Sequence, residues 1–294
     1  MRLRYDIVDV FTDRPFAGNQ LAVVHGAEDL STEQCLAITQ EFNFSETTFP
    51  APTGPGEYAT RIFTPATEIP FAGHPTLGTA WVLREQGLLT EDVVTQVCGA
   101  GPIRVSFDRD RVELAAAPRD EATPLNDDVV ADLLADLGLA ADDLDGQAWV
   151  AGCGLAFVHL PVWSDAVARA RPMSRSLAEW ADRVPHTRDP LEGVNLFSVS
   201  GSAADLTVHA RVFVPGLSLP EDPATGSAAA GLGVALVAGG LLPDGGGYEI
   251  SQGLEMGRPS RLFGHVDVED GRASMCHVAG QVQPVASGEI VVPG

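Results

Sequence analysis

The sequence predicts an α+β protein made of two similar domains. The segment RIFTP at residues 61–65 returns as RVFVP at residues 211–215, about half of the 294-residue chain later. Each copy is followed by a further proline and then by an uncharged segment of small residues. Strand-like runs follow one another with only occasional helical segments, which favours α+β over a doubly wound sheet. The ordered repeat indicates a duplication.

The first half of the chain is predicted to be mostly strand with two helices. Ser31 and Gln34 have the spacing of a capping box, which starts the first helix. Alternation and apolar periodicity then give the remaining elements. Strands are expected at 3–11, 20–25, 46–51, 58–64, 93–98, 102–107 and 111–116, and helices at 32–42 and 75–86.

The second half repeats this mixture after a polar, proline-bearing segment at residues 117–128. That segment is the predicted boundary, so the expected domains are 1–118 and 119–294, with the last strand free to pack on the first domain. Strands are expected at 148–160, 194–200, 206–214 and beyond 240, and helices at 127–137, 164–170, 176–183 and 223–238.

The composition excludes several classes of function. The net charge is −22, and such a surface repels phosphate backbones and anionic lipid, so neither nucleic-acid nor membrane partners are expected. The chain has no lysine, which excludes a lysine Schiff base and a GK[ST] phosphate loop. The uncharged run from Pro223 to Leu242 is predicted to be a buried core helix rather than a membrane span.

The cysteines and the first residues of the chain predict a cytoplasmic protein. The four cysteines lie far apart without a CxxC motif, which is typical of reduced, buried thiols. MRLRYDIVDVF enters a strand pattern directly, without a signal peptide. No HxxxH or HExxH motif occurs, so no metal site is expected.

Two helix starts carry the candidate binding residues. Pro75 and Pro223 suit the first helical position, which makes His74 and Asp222 the expected N-caps. A pseudo-twofold relation would bring both helix N-termini to a shared cleft, where free N–H groups could bind a substrate carboxylate. Small residues there would let a ligand approach the backbone; these are Gly73, Thr76, Gly78, Thr225, Gly226 and Ser227.

Each of these residues also has a purely structural interpretation. Asp222 is a good N-cap, and capping alone would account for it. Ser227 could bond back to the preceding turn of its helix. His74 is a poor capping residue, so its place at a helix start favours a functional role.

The motifs resemble those of the PhzF family of phenazine biosynthesis-like isomerases. The similarity extends over nearly the whole chain; its motifs are DVFTDRPFAGNQLAVV (9–24), NFSETTF (43–49), RIFTPATEIPFAGHPTLGTA (61–80), EDPATGSAAAGLG (221–233) and QGLEMGRPS (252–260). The resemblance implies the diaminopimelate epimerase fold, in which each of two pseudo-symmetric domains wraps a mostly antiparallel sheet around a central helix.

The resemblance also implies an activity and roles for individual residues. It implies a cofactor-free isomerisation of dihydro-hydroxyanthranilate, in which one group moves a proton between ring carbons. Glu46 of the SET motif would be that acid–base residue. Asn19, His74, Asp222 and Ser227 would line the site of a small carboxylate substrate. A homodimer is expected.

The repeat suggests that a single carboxylate moves the proton. Aligning FSE (44–46) with FSV (197–199) places Val199 opposite Glu46, and one acid fits a same-face shuttle rather than a two-base racemase. Flanking by Phe44 and Phe49 should raise the pKa of Glu46. Two alternatives stay open: an amino-acid epimerase of the same fold, and a non-catalytic member that binds a carboxylate or a protein.

Overall fold

The computed structural model describes residues 1–215 and 220–294. The chain forms two compact units. The first contains Met1–Leu114 together with Ala279–Gly294, and the second contains Ala115–Val278. The division falls after Leu114, where the sequence suggested residue 118. The last strand of the chain belongs to the first unit.

The helices and strands have the following bounds. The helices are α1 Thr32–Phe42, α2 Gly73–Glu85, α3 Asp127–Asp136, α4 Ser164–Arg169, α5 Leu177–Ala181 and α6 Gly226–Ala238. The strands are β1 Arg2–Val10, β2 Asn19–Val24, β3 Glu46–Gly54, β4 Glu57–Phe63, β5 Glu68–Ile69, β6 Val93–Cys98, β7 Gly101–Asp108, β8 Arg111–Ala116, β9 Thr123–Pro124, β10 Trp149–Gly152, β11 Ala156–Pro161, β12 Leu191–Ser200, β13 Leu206–Phe213, β14 Glu221–Asp222, β15 Gly246–Gln252, β16 Ser260–Glu269, β17 Arg272–Gly280 and β18 Val282–Val291.

In the first unit a mixed sheet packs around α2. Strand β1 is antiparallel to both β18 and β2, and β2 is parallel to β3. The sheet continues through β4 and β6 to β7, with β4 and β6 parallel. Helix α2 is buried on almost all sides, as its apolar sequence predicts. Gly78 allows close packing, because a Cβ there would lie 2.6 Å from Leu21 and 2.8 Å from Val10.

The second unit repeats this order of strand pairing around α6. Strand β11 is parallel to β12, β12 is antiparallel to β13, and β13 is parallel to β15. Helix α6 is buried from Ala228 to Val237. The repeated pairing confirms the predicted α+β class and locates the repeat in the strand order. None of the helices in the described part of the chain is long and apolar enough to cross a membrane.

A pair of arginine–glutamate contacts marks the repeat most clearly. Arg61 makes a bidentate ion pair with Glu68, at 2.8 and 2.7 Å. Arg211 makes the same pair with Glu221, at the same two distances. Each guanidinium also lies 4.9 Å from the ring of the phenylalanine two residues later. Each pair holds the short strand that precedes the central helix.

The strand register corrects the predicted counterpart of Glu46. Phe63 pairs with Thr47 in the first unit, and Phe213 pairs with Val194 in the second. The residue before each partner is Glu46 in one case and Gly193 in the other, so the prediction of Val199 was wrong. The match of FSE to FSV needs the second hairpin to be shorter than the first. It is longer instead, because residues 201–205 connect β12 to β13 whereas only 55–56 connect β3 to β4.

One predicted strand is in fact a hairpin. The expected strand at 148–160 is divided into β10 and β11, which pair antiparallel around Cys153–Leu155. Gly154 adopts φ +100°, a conformation that glycine allows at little cost, and its amide donates to Asp189 Oδ2 at 2.7 Å.

Candidate active site

Glu46 is the first residue of β3, and it lies beside Leu21 of β2. Its side chain is 16% exposed, and its Oε2 atom lies 3.5 Å from Nε2 of His74. This oxygen has no hydrogen bond from any residue in the two described ranges. Burial raises the pKa of Glu46 from 4.5 to about 7, and Ser45 offsets part of the rise. The predicted direction of the pKa shift is therefore confirmed.

His74 is held at the start of α2 with its Nε2 atom near the Glu46 carboxylate. Its side chain is 6% exposed, and Nδ1 lies 3.3 Å from Nδ2 of Asn19. Ser45 Oγ in turn donates to Asn19 Oδ1 at 3.4 Å. As this amide is oriented, Nδ1 of His74 is an acceptor and the ring proton lies on Nε2. The sequence prediction missed Ser45.

The predicted N-cap role of His74 is wrong. The N-cap is Ala72, and α2 begins at Gly73, so His74 is the second helical residue. The helix starts earlier because both the amide and the hydroxyl of Thr76 donate to the Ala72 carbonyl, at 3.3 and 2.8 Å. Pro75 is still tolerated, since amides of the first turn have no intrahelical partner.

Asp222 is likewise not an N-cap. It ends the two-residue strand β14, and the N-cap of α6 is Thr225, whose carbonyl accepts from the Ala229 amide. Asp222 Oδ2 instead accepts from Thr225 Oγ1 at 2.5 Å. Gln252 donates to the Asp222 carbonyl at 2.7 Å and to Thr225 Oγ1 at 3.1 Å.

The helix starts therefore match differently from the prediction. Gly73 and Gly226 are both first helical residues, so His74 corresponds to Ser227 rather than to Asp222. Gln252 was missed as a contact of Asp222, although it opens the motif QGLEMGRPS. That a single ligand binds His74 and Asp222 stays a prediction.

The two units each bring together part of the predicted site. The first assembles Asn19, Glu46 and His74, with Gly73 adjacent in sequence. The second assembles Asp222 and Thr225, followed by Gly226 and Ser227. Within residues 1–215 and 220–294, no group of three His, Cys, Asp or Glu side chains could hold a metal ion.

The raised pKa of Glu46 predicts a pH-dependent stability. Between pH 4.5 and 7 the folded chain holds this proton more tightly than the unfolded chain, so the free energy of unfolding falls as pH rises. From below pH 4.5 to above pH 7, the free energy of unfolding should fall by roughly 3 kcal/mol through this group. Glu46→Gln should therefore melt higher than the parent at pH 8 but not at pH 4. Thermal melting of both proteins from pH 4 to pH 8 checks this prediction. A difference in melting temperature that does not change with pH would contradict the burial of this charge.

The chain matches one family over most of its length. The model of phenazine biosynthesis-like proteins, PhzC-PhzF, matches residues 8–288. A Pseudomonas chlororaphis protein named trans-2,3-dihydro-3-hydroxyanthranilate isomerase is 34% identical over 98% of this chain and 99% of its own length. A Pseudomonas aeruginosa protein of the same name is 33% identical over 97% of this chain and 98% of its own.

Solved structures show the same fold. A PhzF family protein from Bacillus anthracis has a TM-score of 0.83 at 23% identity, covering 99% of this chain and 100% of its own. A hydroxyproline epimerase from Agrobacterium vitis has a TM-score of 0.63 at 12% identity, covering 98% and 92%. The epimerase-like fold is thereby confirmed. The chain belongs to the PhzC-PhzF family of phenazine biosynthesis-like proteins, and it is an isomerase.

Proposed function

We propose that this chain is a cofactor-independent isomerase that moves a proton on a small cyclic carboxylate through Glu46. The substrate class is taken from relatives named for trans-2,3-dihydro-3-hydroxyanthranilate, which are about a third identical over nearly the whole chain. The observation that carries the mechanism is a buried carboxylate beside an oriented imidazole, at 3.5 Å.

The pKa of Glu46 suits a group that both removes and returns a proton. With a pKa of about 7, acid and base forms are both populated near neutral pH. General acid–base catalysis is most effective when the catalytic pKa lies near the working pH. The carboxylate would take a proton from one ring carbon and, as the acid, deliver it to another. No net proton is consumed in this cycle.

His74 is proposed to orient both the carboxylate and the substrate. Its Nε2 atom lies 3.5 Å from Oε2 of Glu46, and it could donate to a substrate oxygen from nearly the same position. The hydrogen bond with Asn19 holds the ring in this orientation. Gly73 precedes His74 and would leave the backbone open to close approach by a ligand.

Residues at the start of α6 are proposed to bind polar groups of the substrate. Asp222 provides a carboxylate acceptor held by Thr225, and Gln252 fixes the backbone of this segment. Gly226 and Ser227 are the first two helical residues, where backbone amides have no intrahelical acceptor. Such amides favour an anionic ligand.

The single acid favours isomerisation over two-base epimerisation. The repeat counterpart of Glu46 is Gly193, so the second unit has no acid at that position. The helix-start counterparts are His74 and Ser227, so neither is a thiol. An amino-acid epimerase of the same fold is the remaining alternative.

Isomerisation in deuterium oxide tests the proposed function. The parent protein should convert trans-2,3-dihydro-3-hydroxyanthranilate to an isomer, with NMR following loss of the hydrogen at one ring carbon and arrival at another of that hydrogen, or of deuterium exchanged at Glu46. The rate should be the same after treatment with a chelator. Deuterium exchange that merely inverts one centre would favour the epimerase, and the absence of any conversion would overturn the proposal.

Variants of His74 and Asp222 should both lower binding and turnover. His74→Ala also removes a buried ring and its hydrogen bond with Asn19, so it should lower the melting temperature as well. Asp222→Ala should lower turnover and also cost about 1 kcal/mol of stability, because it removes the Thr225 hydrogen bond. Calorimetric titration with the carboxylate substrate measures the affinity of each variant, and thermal melting measures its stability.

His25→Ala is the matched control. His25 pairs with Asp6 at 2.7 Å, beside Gln86 at the far end of α2. The His25→Ala substitution should leave turnover intact. Strong destabilisation by His74→Ala with unchanged binding would make the GHP segment a packing motif.

A further inference from the structure

An aromatic side chain stands exposed on the loop that joins β1 to β2. This loop runs from Phe11 to Gly18, and Phe16 within it is 74% exposed. Phe16 also has φ +65°, a conformation that is unfavourable for a bulky residue. Strain of this kind persists where the surrounding structure enforces it, and it occurs often at functional sites.

Buried contacts hold this backbone in place. Asp9 is 1% exposed, and its Oδ2 accepts from the amide of Phe16 at 2.7 Å. The hydroxyl of Thr12 donates to the carbonyl of Arg14 at 3.0 Å and accepts from its amide. Gly18, at φ +67°, approaches the Val10 carbonyl too closely for any side chain. The loop is thus braced from within while the Phe16 ring points outward.

The loop lies at the end of the first unit that contains Glu46. Val10 pairs with Asn19, so the β1–β2 connection leaves the sheet at that point. Strands β2 and β3 are parallel and start at the same end, with Leu21 beside Glu46. Asn19 directly follows the loop and contacts His74.

The second unit lacks this extension. The corresponding connection, between β10 and β11, is only the turn Cys153–Leu155. It contains no aromatic residue, and the position matching Glu46 is Gly193. The long loop and the acid therefore occur together in one half of a duplicated fold.

We propose that Phe16 is a substrate-contacting specificity residue, whose ring packs on the unsaturated ring of the substrate while Glu46 moves the proton. This rests on the proposed function. An exposed aromatic ring on a fixed backbone loses little conformational freedom when it packs on a planar ligand. It also supplies apolar surface that the polar groups Asn19, Glu46 and His74 do not.

Steady-state kinetics of Phe16 variants tests the inference. Phe16→Gly should raise KM about tenfold or more, as expected for loss of a large apolar contact. Its melting temperature should be equal to or above that of the parent, because glycine accepts φ +65° freely. Phe16→Tyr should keep the parent KM. Leu88→Ala, at another exposed apolar position of the same unit, should leave KM unchanged.

The outcomes separate the inference from the proposed function. If the parent turns over and Phe16→Gly has the parent KM, the inference is overturned and the proposed function stands. If the parent does not turn over, the proposed function fails and the inference fails with it. A higher KM together with a melting temperature well below that of the parent would indicate a structural role and would also overturn the inference.

Discussion

Glu46→Gln is expected to lower kcat/KM for the isomerisation by about 10²- to 10⁴-fold, the usual loss when a general acid–base group is removed. The amide keeps the shape of the side chain but cannot accept the substrate proton. Initial rates with the dihydro-hydroxyanthranilate substrate, with the fold checked by circular dichroism, measure the effect. A variant that retains more than a tenth of the parent value would show that another group moves the proton.

Glu192→Gln is the matched control for this experiment. Glu192 lies on β12 next to Gly193, the repeat counterpart of Glu46, and burial raises its pKa as well. If a raised pKa alone were enough, both substitutions would reduce turnover. We expect Glu192→Gln to keep the parent rate, because the imidazole of His74 lies 3.5 Å from the carboxylate of Glu46, on the other half of the repeat.

The duplicated ion pairs should differ greatly in their contribution to stability. Arg211 and Glu221 have side chains 6% and 9% exposed, whereas Arg61 and Glu68 are 35% and 37% exposed. Arg211→Met leaves a buried carboxylate without its partner, which typically costs about 3–5 kcal/mol. Arg61→Met breaks a half-exposed pair, together with donations to the Leu30 carbonyl and Thr32 Oγ1, and water can replace these contacts at a cost of about 1 kcal/mol.

Urea unfolding of the two variants measures this contrast. Arg211 Nη1 also donates to the carbonyls of Val167 and Ala170 at the end of α4, so its loss removes further hydrogen bonds. The double variant Arg211→Met/Glu221→Leu should recover part of the stability, because it removes the unpaired charge. Equal effects of Arg211→Met and Arg61→Met would contradict the assignment of one pair as buried.

The fold could be predicted from the sequence because its main signals are periodic or repeated. The RIFTP and RVFVP segments predicted two similar halves, and the capping box at Ser31 placed α1 correctly at Thr32. The register of the repeat could not be predicted from those motifs. The FSV motif lies too close to Arg211 for the longer β12–β13 connection, and the strand pairing gives Gly193 instead of the expected Val199.

The site could be predicted only in part, because its geometry depends on contacts between distant segments. Capping rules act locally, and they favoured His74 and Asp222 as N-caps. In the structure Asp222 is held instead by Thr225 and Gln252, and His74 by Asn19. Ser45 and Gln252 carry no spacing that reveals these partners, so they were missed.

The most direct test of Glu46 as the proton carrier is the pH dependence of kcat/KM for the isomerisation, which reports the pKa of the essential base in the free enzyme. Burial raises the pKa of Glu46 to about 7. The value of kcat/KM should therefore rise with pH and reach half of its maximum near pH 7. Residual activity of Glu46→Gln should lack this transition. A rise centred near pH 4.5, or one that persists in the variant, would contradict the mechanism.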